Sequence, residues 1–289
     1  MTLSTTRPGQ VDPAPEATEP QRRPRKRGRL LHAYTWLVIF WLCLPILVMI
    51  AFGFNATTGR YNFVWQGFTF RWYRELFAIP NLTNALINSL TIAVIVTVIA
   101  TVLGTFVGLA LGRYKFRGRS GIDLLLFANI AAPEIAIGAA LLSLFVSLGI
   151  PRGYWTIVVA HVMFDIAYVA ITVRARTAGY DQSLEEAAAD LGAGPWTTFR
   201  LITLRVIMPG VMAGAMLSFA LSIDDFIITQ FTAGQTLTFP LWVWGASRVG
   251  TPPQVNVMGT LIFVFGVLLV LGNIAIMRRR DKSSRTPAE

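Results

Sequence analysis

The chain contains one cysteine and two histidines in 289 residues, and only 14% of its residues are charged. A lone Cys43 excludes an intrachain disulfide and a cysteine-ligated metal cluster. A water-soluble domain of this length carries roughly 25% charged residues to solvate its surface, so the shortage of charge excludes an ordinary soluble enzyme. Lysine is scarcer still. Lys26, Lys115 and Lys282 are all there are, and none completes a Gly-x-x-x-x-Gly-Lys phosphate loop, so any ATP is hydrolysed by a partner. The chain itself is expected to be no enzyme and to need no cofactor of its own.

What is present in quantity is apolar: 54% of residues are hydrophobic, and the mean hydropathy is +0.57. Six stretches reach the ~20 residues that a helix needs to cross the hydrocarbon core: Ala33 to Phe54, Leu86 to Leu111, Ile122 to Leu148, Tyr154 to Val173, Val206 to Phe231 and Val257 to Met277. The net charge of +10 sits in short basic runs between these stretches, a pattern that fits a bilayer and not a nucleic acid groove. Only Arg60, Arg71, Arg74, Arg152 and Arg248 fall outside when the N-terminus is placed in the cytoplasm, so the positive-inside rule puts both termini there.

The expected organisation is therefore an all-α, multi-pass membrane protein of six transmembrane helices. Residues 1–32 read as a disordered basic tail, because their Pro, Arg, Thr and Glu cannot bury an apolar face. The transmembrane domain runs over 33–278 with a cytoplasmic loop at 179–205, and a second basic tail follows over 279–289. The first span exceeds the h-region of a cleavable signal and is expected to stay as an anchor. Between spans one and two, Phe70, Tyr73, Leu76 and Phe77 recur at helical spacing near Trp65 and Trp72, which predicts a short helix at the headgroup level.

The loop from Gly179 to Trp196 is the most informative stretch. Ser183 and Glu186 have capping-box spacing, and Gly192 is a natural helix stop. Between them Leu184, Ala187, Ala188 and Leu191 fall at i, i+3, i+4 and i+7 and form one small apolar face, with Glu185 and Asp190 away from its centre. Gly194-Pro195 then turns the chain into a second helix leading to span five. Read alone, such a helix fits either a groove on a partner or the bundle's own surface.

Glu186-Ala187-Ala188, then Gly192, then Ile202 and Leu204 at their spacing resemble the EAA loop of ABC-importer permease subunits. The resemblance implies the type I importer permease fold and makes this loop the coupling helix that docks into a cytoplasmic ATPase subunit. Glu186, Ala187, Ala188 and Gly192 become the ATPase-contact candidates. One position departs: the family usually has proline directly after the leucine, where this chain has Arg205, and its next proline is Pro209.

Charges inside hydrocarbon cost at least ~2.5 kcal/mol each at a helix centre, and those deep in the predicted spans are all acidic. Glu134 lies ~18 Å along span three and Asp165 ~17 Å along span four at 1.5 Å per residue, both near the midplane, with Asp224 and Asp225 in the outer half of span five. His161 precedes Asp165 by one helical turn, and the two can pair. With no Lys or Arg deep in a span, these five residues read either as an acidic pathway selecting cations or as a structural row of protonated and partly solvated acids. Gly104, Gly108 and Gly112, with Gly210 and Gly214, have the small-xxx-small spacing of closely packed membrane helices.

Beyond the loop, Asn88-Ser89-Leu90-Thr91, the basic run Arg113 to Arg119, the stretch Leu217 to Asp225 and Pro253-Gln254-Val255-Asn256 look like the spermidine/putrescine-type permeases. That resemblance implies a polyamine substrate, a second homologous permease as partner in a heterodimer, two ATP-binding subunits carrying ATP and magnesium, and an extracytoplasmic binding protein, all in a bacterial inner membrane. Ferric iron, thiamine or an opine are the alternative substrates. A proton-coupled carrier using Glu134, His161 and Asp165, or a membrane scaffold, are the alternative classes.

Overall fold

The computed structural model describes residues 27–59, 61–181 and 183–283. The expected tail up to Lys26, Arg60 and residues 284–289 lie outside the described residues. Two compact units divide the chain, residues 1–47 and 48–289. In the first, the described part is the opening of α1 (Arg27–Phe52), where a long apolar run carries Trp36, Leu37, Phe40, Trp41 and Leu42 exposed, as lipid contact requires. The helix begins at Arg27.

In the second unit the elements are α2 (Arg71–Arg74), α3 (Pro80–Arg113), α4 (Arg119–Ala131), α5 (Glu134–Ser147), α6 (Tyr154–Thr177), α7 (Ser183–Asp190) and α8 (Pro195–Thr198), then a π-helical turn (Phe199–Thr203). They are followed by α9 (Leu204–Asp224), α10 (Ile227–Thr232), α11 (Phe239–Ser247) and α12 (Pro253–Ser283). Among the described residues the one β feature is an isolated antiparallel bridge between Asn55 and Phe68.

Five helical stretches are long and apolar enough to cross a membrane, or six when α4 and α5 count as one broken span. The third predicted span is that broken pair, bent by 107° between Ala131 and Glu134. Pro133 is the cause: it pushes Ala132 out of the helical region, to ψ 138°, and itself takes ψ 131°. The fifth predicted span also stops early. α9 ends at Asp224, Asp225 is extended at ψ 123°, and α10 continues separately.

The core is the packing of α3, α6 and α9. Gly104, Gly108 and Gly112 face Val169, Val173 and Thr177 of α6, while Gly210 and Gly214 of α9 meet Arg176 and Val169. A Cβ on Gly108 would stand 2.6 Å from the Ala170 carbonyl oxygen, a backbone atom with nowhere to go. Gly108→Leu is therefore expected to push α3 off α6 and cost about 1 to 3 kcal/mol, measured as a lowered unfolding midpoint in detergent.

The other elements hang on this core through specific polar ties. Asn129 Nδ2 on α4 donates to the Met163 and Phe164 carbonyls of α6 at 3.1 Å each, and Arg174 of α6 is paired with Asp123 of α4. Asn88 Nδ2 donates to the Leu237 carbonyl (2.9 Å), and Ser89 Oγ accepts the Phe239 N–H (2.9 Å), which fixes the start of α11 on α3. The predicted headgroup helix shrinks to α2. Leu76 instead buries against Val255, Val257 and Met258 of α12, and Trp72 Nε1–H donates to the Asn55 carbonyl (2.7 Å).

Candidate functional site

The loop at 179–205 begins two residues past the end of α6. Asp181 Oδ1 accepts the Ser183 N–H at 3.0 Å, so Asp181, rather than the expected Ser183–Glu186 capping box, meets the start of α7. That backbone hydrogen bond holds the Asp181 carboxyl below its usual range. The far end is as predicted. Gly192 has φ +82°, its N–H donates to the Ala189 carbonyl (2.9 Å) and the Ala193 N–H to the Ala188 carbonyl (2.9 Å), the paired bonds of a Schellman stop.

Which side of α7 faces the bundle differs from the sequence expectation. Leu184, Ala187 and Leu191 are exposed, Leu191 at 89%, while Ala188 at 8% and Glu185 at 9% face inward. A charge overrides the apolar periodicity because it has partners waiting. Arg113, the last residue of α3, forms an ion pair with Glu185, its Nη1 donating to Oε1 at 2.8 Å, and the same oxygen accepts Tyr180 Oη–H (2.8 Å) and Thr203 Oγ–H (2.6 Å). Burial first, and then the Glu185 carboxylate, push the Tyr180 phenol up, so it stays a donor. Glu186 and Ala187 point away from the bundle and are free to meet another surface, whereas Ala188 does not.

From α8 the chain runs into a membrane span without a break. Pro195 opens α8 at its first position, the π turn follows, and α9 continues directly. Arg205 is exposed in the first turn of α9, and the helix passes through this position uninterrupted.

The acidic residues divide into two sets. His161 and Asp165 are 3% and 1% exposed on α6. The expected His161–Asp165 pairing is corrected: His161 Nε2 meets Asp225 Oδ2 (3.1 Å) and Thr229 Oγ (2.9 Å), and Nδ1 meets Ser222 Oγ (2.9 Å). Asp165 instead accepts Ser218 Oγ–H at 2.6 Å. Asp225 also accepts the Thr229 N–H (2.7 Å) and hydroxyl (2.6 Å), which ties the end of α9 to the start of α10. The hydroxyls of Ser218, Ser222 and Thr229 were not legible as partners, because serine and threonine are common in membrane helices and carry no sequence spacing tied to α6.

Glu134 and Asp224 form the second set. Glu134 opens α5 beyond the bend, Asp224 closes α9, both are exposed, and they lie within Coulombic reach of each other. Among the described residues no Lys or Arg is ion-paired with Glu134, Asp165, Asp224 or Asp225. Nor are three His, Cys, Asp or Glu side chains grouped to hold a metal ion.

Residues 24–281 match the family of binding-protein-dependent transport system inner membrane components. The chain belongs to that family. It is a membrane transport component, multi-pass and helical, in agreement with the resemblance carried by the EAA-like loop. Among its relatives, the spermidine/putrescine transport system permease protein PotC of Haemophilus influenzae is 36% identical over 87% of this chain and 98% of its own. The PotC of Escherichia coli K12 is 37% identical over 89% and 97%, and the putrescine transport system permease protein PotI of the same strain 39% over 84% and 88%. Among solved structures, a bacterial ABC transporter that imports the acidic polysaccharide alginate matches with TM-score 0.61 at 16% identity, over 88% of this chain and 96% of that one. The alginate transporter in complex with its pentasaccharide-bound periplasmic protein matches equally, TM-score 0.61 at 15% identity over 91% and 98%, so the fold of the component is that of ABC importer permeases.

Proposed function

We propose that this chain is one of two membrane subunits of an ATP-driven polyamine importer, paired with a homologous permease, resting on two ATPase subunits and fed by an extracytoplasmic binding protein. The observation that carries the substrate class is the exposed carboxylates Glu134 and Asp224, with no paired Lys or Arg among the described residues, in a chain whose relatives are named for spermidine and putrescine. Asp224 stands at the carbonyl end of α9, where the helix's own partial charge is negative, so a cation is favoured there twice over. An amine of the substrate supplies the positive charge these acids lack as it passes.

Both termini lie in the cytoplasm, which places α7 below the membrane. Glu186, Ala187 and Gly192 form the surface that docks on the ATPase, and ATP and magnesium are held by that partner. Closure of the ATPase pair moves α7, and the unbroken path through α8, the π turn and α9 carries the motion to Asp224 and Asp225. The binding protein delivers its amine to the opened outer side, and hydrolysis resets the bundle.

The test is uptake of labelled putrescine and spermidine into proteoliposomes holding the full complex. ATP-dependent uptake that vanadate stops and a protonophore leaves unchanged is expected. Uptake that collapses with the proton gradient and ignores vanadate would replace this reading with a proton-coupled carrier.

A further inference from the structure

We infer that Glu185 is a positioning residue that locks the coupling helix to the transmembrane core, so that α7 drives α3, α6 and α9 as one body. The inference rests on the ATP-driven reading above and adds to it the part of this chain that transmits the motion.

The argument starts from adjacent acids on one short helix. Glu186 faces outward, while its neighbour Glu185 is turned into the bundle and nearly buried. The three side chains that bind Glu185 come from three different elements, each leading to a different span. Arg113 ends α3, Tyr180 lies three residues past the end of α6, and Thr203 ends the π turn that feeds α9. The hub thus joins the end of α3 to the segment that follows α6 and to the turn that leads into α9.

Little else fastens α7. Its only other buried residue is Ala188, and a single methyl gives a weak and slippery hold. Apolar contacts resist being pushed together but slide sideways at little cost. An ion pair with added hydroxyl donors is directional and resists displacement along several axes at once. The Arg113 guanidinium is steadied in turn by its stacking over the Tyr114 ring, 5.3 Å from the centroid. Force applied to the exposed side of α7 therefore reaches the core through the Glu185 carboxylate.

Glu185→Gln keeps the volume but turns one carboxylate oxygen into an NH2 group facing the Arg113 N–H donors, which breaks the paired bonds. In the reconstituted complex it is expected to leave the ATPase subunits co-purifying and hydrolysis running, while uptake per ATP hydrolysed falls at least tenfold, a change equal to about 1.4 kcal/mol of coupling. Tyr180→Phe and Thr203→Val remove one bond each and should lower the same ratio less. The decisive measurement is rescue. With Cys43→Ser as background, Arg113→Cys combined with Glu185→Cys is expected to be uncoupled, and a short bifunctional thiol linker across the pair should restore coupled uptake. An unchanged ratio in Glu185→Gln, loss of the ATPase subunits from that variant, or a linker that fails to restore uptake would each overturn the inference. A wild-type complex without ATP-driven uptake would instead remove the transport reading itself, and the control reactions tell the two failures apart.

Discussion

Gly192→Trp is expected to abolish ATP-driven uptake, and Gly192→Asn to leave most of it. The pair separates two demands that fall on one residue. At φ +82° any L side chain is disfavoured by roughly 1 to 2 kcal/mol, though asparagine visits this region more readily than other residues. A Cβ at this position, however, meets nothing within 4 Å in this chain. The backbone demand is therefore small and local, affecting only the stop of α7, and nothing within the subunit resists a large side chain.

A loss in the tryptophan variant that greatly exceeds the loss in the asparagine variant must arise from a surface outside the chain. It is measured as stimulated ATP hydrolysis and as ATPase subunit retained on purification, both expected to drop at least tenfold for tryptophan, against no more than a few-fold for asparagine. Glu186→Ala, which removes an exposed charge without touching the Glu185 hub, should weaken the same retention. Full coupling in Gly192→Trp would show that α7 docks by another face, leaving Leu184 and Leu191 as the exposed alternatives.

Much of this architecture is legible in the amino-acid order. Span four begins at Tyr154 as read, and span two is longer than read, mainly because Pro80 starts the helix before the apolar run does and to a lesser degree because it runs on to Arg113. These helices were visible because burial and lipid contact both demand apolar side chains and no competing backbone signal interrupts them. The breaks at Pro133 and Asp225 were harder. A hydropathy run continues across both, and what ends the helix is a local dihedral preference in one case and a carboxylate bonded four residues ahead in the other.

The facing of α7 illustrates the opposite failure. Periodicity weighs apolar residues and assigns the charged one to solvent, but Glu185 finds Arg113 at a sequence separation of 72 and Thr203 at 18. A buried charge with three donors is stable where an unpaired one is not, and the donors become visible only once the helices are assembled. His161 follows the same logic: a partner one turn away was available in Asp165, yet it takes Asp225, 64 residues on, while Asp165 accepts from Ser218.

This exchange of partners gives the acidic residues different expected responses to neutralisation. Oδ2 of Asp165 accepts from Ser218, and Oδ2 of Asp225 is bonded to His161 and Thr229, so Asp225→Asn disturbs buried hydrogen bonds and is expected to destabilise the chain by about 1 to 3 kcal/mol, seen first in thermal unfolding. Glu134 and Asp224 are exposed, and neither is ion-paired among the described residues. Glu134→Gln and Asp224→Asn should leave the unfolding midpoint in place while lowering spermidine uptake between about tenfold and a hundredfold, the loss of one charge-assisted contact of about 1.5 to 3 kcal/mol with the passing ammonium. Because the lost contact is electrostatic, the double variant should also flatten the preference for spermidine over the less charged putrescine. If uptake and selectivity survive in both single variants and in the double variant, the substrate's charge is met elsewhere, and the open carboxylates serve only to hydrate the bend at Pro133.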